Sequence, residues 1–482
     1  DTIARIGGDE FVAVLVDLPD TGVTESVLAR LLTSAAQPVH DDGLILQVSA
    51  SLGVSFYPQA EEISAEQLIR QADQAMYQAK VAGKNRFRHF DAELDRSLRG
   101  RNENLEDIHR ALGQGEFVLY YQPLVNLRSG QIVGAEALIR WWHPRRGLLL
   151  PGAFLPAIEN HPLIVDLGEW VLQEALGQGR RWRASGLEIP ISVNIHGHQF
   201  QRGDFPERLQ SLLHRHGGEG PIGLQLEMLE TSALEDLDHM SVMMRNCQKL
   251  GVRFALDDFG TGYSSLTYLK LLPADCLKID RSFVQDMLED PDDLAILEGV
   301  LGLATAFRRQ VVAEGVETPA QGEMLLRLGC EVAQGYAIAP PMPADELHAW
   351  AGRWRPEPGW AGLSPVSRDD LPLLFAGVEH RAWIRALADY LQNKKPMPPP
   401  LDEHQCRFGA WLREEGRRRH GTHPTLHALE TVHRQIHDLA LALIRPGQPH
   451  RTPGTLAGLD ELHRLRDVLL GQLTQLLDRT RE

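Results

Sequence analysis

Hydrophobic positions along the chain switch between two periods, and the switches divide it. In residues 1–92, IARIGGDEFVAVLV alternates as two apolar strands around a Gly-Gly turn, and LQVSASLGVSFYP reads as a further strand. SAEQLIRQADQAMYQAKVAG then has the spacing of a capped amphipathic helix ending at Gly83. The charged stretch 93–114 keeps helical spacing and reads as a helical linker. From 115 to 352, eight short β-rich runs alternate with longer segments of helical period: FVLYYQP, IVGAEALIRW, ISVNI, LQLEM, VRFALDDFG, CLKID, VVAEGVE and VAQGYAI. A Pro/Gly-rich linker at 353–369 leads to a helical region, 370–482, interrupted by KKPMPPP.

Each of the eight runs breaks its apolar pattern with a polar residue: Gln122, Glu136, Asn194, Glu227, Asp257 with Asp258, Lys278, Glu314 and Gln334. A lone carboxylate inside a strand is costly, because an unpaired buried charge forfeits its hydration. A barrel whose strands end at one shared mouth accounts for all eight, and a segment of about 235 residues suits a (β/α)8 barrel of roughly 250. Only a short turn separates Gln122 from Glu136, whereas a parallel crossover needs about a dozen residues or more. The first two strands are therefore expected to pair as an antiparallel hairpin, giving a modified barrel.

Composition narrows the classes. The 482-residue chain is 43% hydrophobic and 24% charged, as soluble globular proteins are, with a net charge of -16. That balance argues against a nucleic-acid polymer as partner, which needs clustered cations, but leaves room for a small anion held through metal ions. No apolar run approaches the roughly 20 residues of a membrane span, and the four scattered cysteines fit a reducing compartment. No membrane segment is expected in this chain, and a cytoplasmic location is; an upstream membrane region of a longer protein stays open.

The strand-associated acids suggest chemistry. Glu136, Asn194, Glu227, Asp257 and Asp258 offer the hard oxygen ligands that suit Mg2+ or Mn2+. Two such ions about 3.5–4 Å apart activate water and clamp a phosphodiester for in-line attack. Lys278 can hold that water or screen developing charge, Glu314 can bind metal or take a proton, and Arg140 can reach a phosphate.

EALIRW at 136–141, DDFGTGYSSL at 257–266, LKID at 277–280, AEGVE at 313–317 and QGY at 334–336 together resemble the EAL family of cyclic-di-GMP phosphodiesterases, over roughly residues 105 to 350. The resemblance implies an α/β modified TIM barrel that hydrolyses cyclic di-GMP to linear pGpG, with two Mg2+ or Mn2+ ions per site and a homodimer formed through this domain. It implies Glu136, Asn194, Glu227 and Asp257 as metal ligands, Asp258 serving the second ion, and Lys278 and Glu314 positioning and activating water. Gln122, Leu138, Arg140 and Gln334 would contact the dinucleotide, and Glu230 would brace the DDFGTGYSSL loop. Leu229 stands where the family usually has Thr and His196 where Ser is common; neither is an expected ligand, so the departures should tune activity rather than abolish it. The alternatives are a non-catalytic cyclic-di-GMP receptor, or a bifunctional cyclase and phosphodiesterase in a full-length gene product.

RIGGDEF with ADQAMYQAKVAGKNR resembles the diguanylate cyclase (GGDEF) family. Gly7 and Gly8 allow close approach to a phosphate, and Asp9 and Glu10 can hold metal. Residues 1–92 are read as the C-terminal part of such an α+β domain, a remnant from which no cyclase activity is expected.

Nine of the chain's twenty histidines lie beyond residue 379. His433 and His437 fall one helical turn apart, and adding His380 and Cys406 gives a three-nitrogen, one-sulfur set suited to tetrahedral Zn2+. HRAW at 380–383, CRFGAW at 406–411 and HRQIH at 433–437 together resemble the chemoreceptor zinc-binding (CZB) domain. That resemblance implies an all-α four-helix bundle over 370–482, whose closed zinc site is structural or sensory and modulates the enzyme.

Overall fold

Among the described residues, short strands, the helices Thr21–Ala35 and Ala65–Val81 and the start of a helix at 105 make up the first of two units in the computed structural model, Asp1–Ile108. The structure describes residues 1–482 other than 8–9, 17–20, 42–43, 47, 60–62, 82–83, 91–104, 217–222, 234–235, 263–265, 422, 445–452 and 480–482. Strands β1 (Thr2–Gly7) and β2 (Glu10–Val14) form the expected antiparallel hairpin, with Gly7 opposite Glu10. Gly8 and Asp9 of the signature, and the helix end at Gly83, lie outside the described residues. Strands β3 (Val39–Asp41) and β4 (Leu44–Leu46) form a second hairpin, and β5 (Leu52–Val54) pairs in parallel with β6 (Phe87–His89). The helix Ala65–Val81 lies against β5 so closely that a Cβ on Gly53 would sit 1.8 Å from the Ala72 carbonyl oxygen.

The second unit, His109–Glu482, carries the barrel and the C-terminal bundle. Its strands are β7 (Phe117–Asn126), β8 (Ile132–His143), β9 (Gly147–Leu149), β10 (Ile191–Asn194), β11 (Leu224–Leu229), β12 (Arg253–Phe259), β13 (Cys276–Ile279), β14 (Gln310–Ala313), β15 (Val332–Ala333) and β16 (Met342–Pro343). Strands β7, β8 and β10–β15 close a ring of eight, in which β7 runs antiparallel to both its neighbours and the others are parallel. All eight β-rich runs of the sequence are strands of this ring.

One expectation needs correction. Because β7 runs against the rest, Gln122 does not mark a strand end at the mouth; it lies mid-strand, directly across from Glu136. Glu136 is itself the fifth of twelve residues in β8, which continues beyond the ring to pair with β9.

Local signals fix where the barrel helices begin. Pro319–Leu328 opens with a capping box, Thr318 accepting from Gln321 N while the Gln321 side chain reaches back, and it closes at Gly329 with φ 93°. Asp290 caps Pro291–Phe307 by accepting from Asp292 N, with Pro291 in the first turn, where its missing N–H costs nothing. Between strands and helices, Phe254, Phe259, Leu277 and Ile279 form a dry core.

The C-terminal region is helical: Leu371–Leu391, Arg407–Trp411, a π-type turn at Leu412–Gly416 running into Arg417–His420, then Pro424–Leu443 and Pro453–Arg479. Ile384, Leu387, Phe408, Leu429, Ile436 and Leu469 share its core. Residues 353–369, expected as a linker, are seated on the barrel instead: Trp360 and Leu363 belong to the barrel core, and Trp360 Nε1 donates to Pro319 O at 3.0 Å. No helix among the described residues is long and apolar enough to cross a membrane.

Candidate active site

Side chains two apart on a strand share a face, and this places the polar residues inside the ring. Ser192 and Asn194, Gln225 and Glu227, Ala255 and Asp257, and Cys276 and Lys278 are four such pairs on four strands, and Val312 with Glu314 and Val332 with Gln334 continue the spacing one residue past the ends of β14 and β15. The first members form a lower, uncharged tier, in which Gln225 Nε2 donates to Ser192 Oγ at 3.2 Å, around a cavity of about 470 Å³ at the barrel foot lined by Ser192, Gln225, Cys276, Val312 and Val332 among others. The second members form the polar tier above. Glu136, Leu138 and Arg140 climb β8 on one face from that tier towards the mouth.

Lys278 is wholly buried at the centre of the polar tier. Its Nζ lies 2.6 Å from Glu314, 2.7 Å from Glu227, 3.2 Å from Asp257 and 3.3 Å from Glu136. Burial works against the ammonium, but Glu136, Glu227, Glu314 and Asp257 outweigh it and hold Lys278 well above the usual lysine range. One ammonium cannot balance so many carboxylates. Burial, with Asp257 and Glu136 nearby, pushes Glu314 up to about 8, and burial with Glu136 raises Asp257. Burial and the charges of Glu136 and Asp257 raise Glu227 well above the carboxylate range. Glu136 goes the other way. Burial would raise it, yet Lys278 and hydrogen bonds from Gln334 Nε2 (2.7 Å) and Asn194 Nδ2 (2.7 Å) hold it low.

Strict alternation would turn Asp258 away from Asp257. The ladder between β12 and β13 slips after Leu256, and Asp258 takes φ 53°, a left-handed conformation that Asp tolerates better than most residues. Carboxylate oxygens of Asp257, Asp258 and Glu314 then lie within 4.8 Å of one another. Burial and the neighbouring Asp257 push Asp258 up to about 6, aided by a hydrogen bond with Asp280. Asp280 went unassigned as a site residue in the sequence reading. Its signal was present in LKID, as the acid two positions beyond Lys278, and it also caps the helix Arg281–Asp286.

The donor set fits hard divalent cations. Among the described residues, Glu227 Oε1 is buried with no hydrogen-bond partner, and Asp257 Oδ1 faces Lys278 without hydrogen-bonding geometry. A hydrated-metal chemistry needs such uncommitted oxygens.

The other expected residues fall at the margins. Gln122 Nε2 donates to Ala339 O at 3.0 Å, and Leu138 is half-buried opposite Tyr120. Arg140 is largely buried, its guanidinium 5.6 Å from the Tyr120 ring, with the exposed Tyr336 close enough to act on its charge. Tyr336, at the end of the QGY motif, is a further residue of this margin that its sequence position alone does not distinguish. Glu230 Oε2 accepts from Gly260 N at 3.0 Å, which ties the end of β11 to the loop after β12; Leu229 beside it points to solvent and leaves that bond in place. Of that loop, residues 263–265 lie outside the described set. His196 caps the short helix Gly197–Phe200 by accepting from His198 N at 3.3 Å.

In the bundle, ligand atoms of His380, Cys406, His433 and His437 lie within 4.8 Å of one another. His380 Nδ1 sits 2.7 Å from Ala376 O and His437 Nδ1 2.8 Å from Leu401 O, which leaves each Nε2 facing the cluster. His433 Nε2 and His437 Nε2 are buried without partners among the described residues. Burial, against the Ala376 hydrogen bond and with His437 adding, pushes His380 down to about 4, and burial with His380 and His437 pushes His433 down to about 2, which favours neutral, metal-binding imidazoles. Three imidazole nitrogens and a thiol around one point fit Zn2+, with the Nδ1 hydrogen bonds orienting the ligands.

The EAL domain model matches residues 105–341, the diguanylate cyclase GGDEF domain model 1–86, and the chemoreceptor zinc-binding domain model 380–444. The chain is 41% identical over 350 residues to the bifunctional diguanylate cyclase/cyclic di-GMP phosphodiesterase MucR of Pseudomonas aeruginosa, covering 72% of this chain and 51% of that one. It is 35% identical over 356 residues to the cyclic di-GMP phosphodiesterase NbdA of the same organism, covering 74% and 45%. The chain thus spans about half the length of the curated relatives it matches. Among solved structures, the EAL enzyme Bd1971, with cAMP and cyclic di-GMP bound, is 32% identical with a TM-score of 0.51, covering 61% of this chain and 77% of that one.

Proposed function

We propose, on the premise that this chain belongs to the EAL domain family, that its barrel hydrolyses cyclic di-GMP to linear pGpG and that the bundle modulates this output through bound zinc. The observation that carries the reading is the polar tier: one fully buried lysine among four carboxylates from four strands, with further oxygens left uncommitted. A site with that surplus of negative charge needs cations before it can accept a phosphodiester.

Glu136, Asn194, Glu227 and Asp257 would hold one Mg2+ or Mn2+, and Asp258, with Asp257 and Glu314 beside it, the second. When bound, two such ions supply Lewis-acid activation and neutralise charge on the phosphate. Lys278 orients the attacking water and stays charged throughout. Glu314, which would be ionised once cations offset the neighbouring acids, takes the water's proton as the oxygen bonds to phosphorus and the opposite ester P–O bond breaks, its electron pair staying with the leaving ribose oxygen, which takes a proton from solvent. Arg140 anchors a phosphate, while Gln122, Leu138 and Gln334 shape the pocket for the dinucleotide. Glu230 braces the loop after β12. The protein is proposed to act as a homodimer through the EAL domain, in the cytoplasm.

The purified chain incubated with cyclic di-GMP and Mg2+ should release pGpG, followed by chromatography. No product with either Mg2+ or Mn2+, at any zinc level, would overturn the enzyme reading in favour of a binding protein.

A further inference from the structure

We propose that zinc in the bundle acts on Lys278 and Glu314 within the same chain, through the helices 291–307 and 319–328 on which the bundle sits. The proposal rests on the phosphodiesterase reading above and adds the route by which the site would be regulated.

The zinc-ligand helix is fastened to the barrel around its ligand. Arg381, next to His380, donates from Nη1 to Leu288 O at 2.9 Å, and Arg385 one turn on pairs with Glu289. On the preceding turns, Phe375 and Val378 pack with Leu294 in a small core of their own, joined by Met324 and Leu328. Leu288 and Glu289 form the turn between Arg281–Asp286 and Pro291–Phe307. Asp280 caps the first of these helices, two residues beyond Lys278 and hydrogen-bonded to Asp258.

A second fastening reaches Glu314. The helix 319–328 follows Glu314 after four residues, and its Gln321 Oε1 accepts from Glu317 N (2.8 Å) and Thr318 N (2.9 Å). Gln321 Nε2 donates to Gln285 O at 3.0 Å, and Gln285 Nε2 to Glu317 Oε1 at 2.8 Å, so the segments behind Lys278 and Glu314 are bonded to each other. Further along the same helix, Arg327 is buried and donates to Asp478 of the last bundle helix at 3.0 Å.

Zinc supplies the bistability. Its ligands come from two helices and the segment before a third, and among the described residues the buried His433 and His437 Nε2 atoms have no protein partner. That cost is relieved by hydration or by a shift of the helices. A shift of Leu371–Leu391 strains Leu288–Leu294, to which it is hydrogen-bonded and packed, because a close-packed interior transmits displacement.

The test uses the full chain. Zinc added without nucleotide should slow amide hydrogen exchange about five-fold or more in residues 281–289 and 315–322. By reciprocity, a hydrolysis-resistant phosphorothioate analogue of cyclic di-GMP should change zinc affinity, measured against a chromophoric chelator, by about five-fold or more. The double variant R381Q/R385Q should keep its zinc stoichiometry, circular dichroism and zinc-free turnover but bring both responses below two-fold; R327Q should weaken them in the same direction. Zinc binding without an exchange response in 281–289, or a double variant that responds like the parent, overturns the proposal. Absence of pGpG formation with the exchange response intact would overturn the enzyme reading and support the coupling.

Discussion

Replacing Lys278 with Met keeps the length of the side chain and removes its charge. In the parent, Nζ meets four carboxylates at 2.6–3.3 Å with no exposure to solvent. Removing one partner of a buried ion pair costs about 3–5 kcal/mol, because the remaining charge is left uncompensated. For a domain of this size that is a fall in Tm on the order of 10 °C. The measurement is scanning calorimetry of zinc-loaded, Mg2+-free protein, parent against K278M. Adding Mg2+ should then raise the Tm of K278M by more than it raises that of the parent, since cations take over the neutralisation. Turnover should stay at least about 10²-fold down, because no cation replaces an oriented donor to the attacking water. Equal Tm values for the two metal-free proteins would refute the reasoning: the carboxyl groups would then be neutral in the absence of ions, and Lys278 would not be what balances them.

Four further outcomes are expected. D257N should lower turnover by well over the 10–100-fold typical of an indirect metal contact while keeping the fold, checked by pGpG release against circular dichroism. R140A should raise KM for cyclic di-GMP about 10- to 100-fold, the worth of a charge-assisted hydrogen bond of about 1.5–3 kcal/mol, with kcat less affected. C406A should weaken zinc binding by tenfold or more by chelator competition; unchanged tight binding would refute the ligand set. G335A places a Cβ 2.2 Å from the backbone N and O of Val316 and should destabilise the protein by about 3 kcal/mol or more, seen as a lowered Tm.

The ring of eight strands was legible because each apolar run carried one residue that an isolated strand could not bury at acceptable cost, and period-two geometry turns such residues to a common interior. The antiparallel start was legible from a turn too short for a crossover. The arrangement of Asp257 with Asp258 was not, since alternation predicts opposite faces and only the slipped ladder and the left-handed Asp258 bring both to the mouth. In the bundle, the four-residue spacing put His433 beside His437, whereas placing His380 and Cys406 with them depended on resemblance and then on tertiary packing. Arg327, Arg381 and Arg385 carry no sequence signal, because an arginine on an amphipathic helix reads as solvated surface until the partner surface is known. Trp360 was hidden differently: its setting, RPEPGWAGLSP, has the composition of a tether.

That tryptophan bears on how the protein can be cut. A fragment ending at residue 352 would follow the sequence boundary of the barrel but strip Trp360 from its place against Gly322, where a Cβ would meet the indole at 2.4 Å. Such a fragment is expected to precipitate or to need detergent, whereas one ending near 366 retains the wrapped segment. Recombination that shuffles sensor domains onto this barrel would have to carry the strap along with it, so the exchangeable cassette is longer than the catalytic domain.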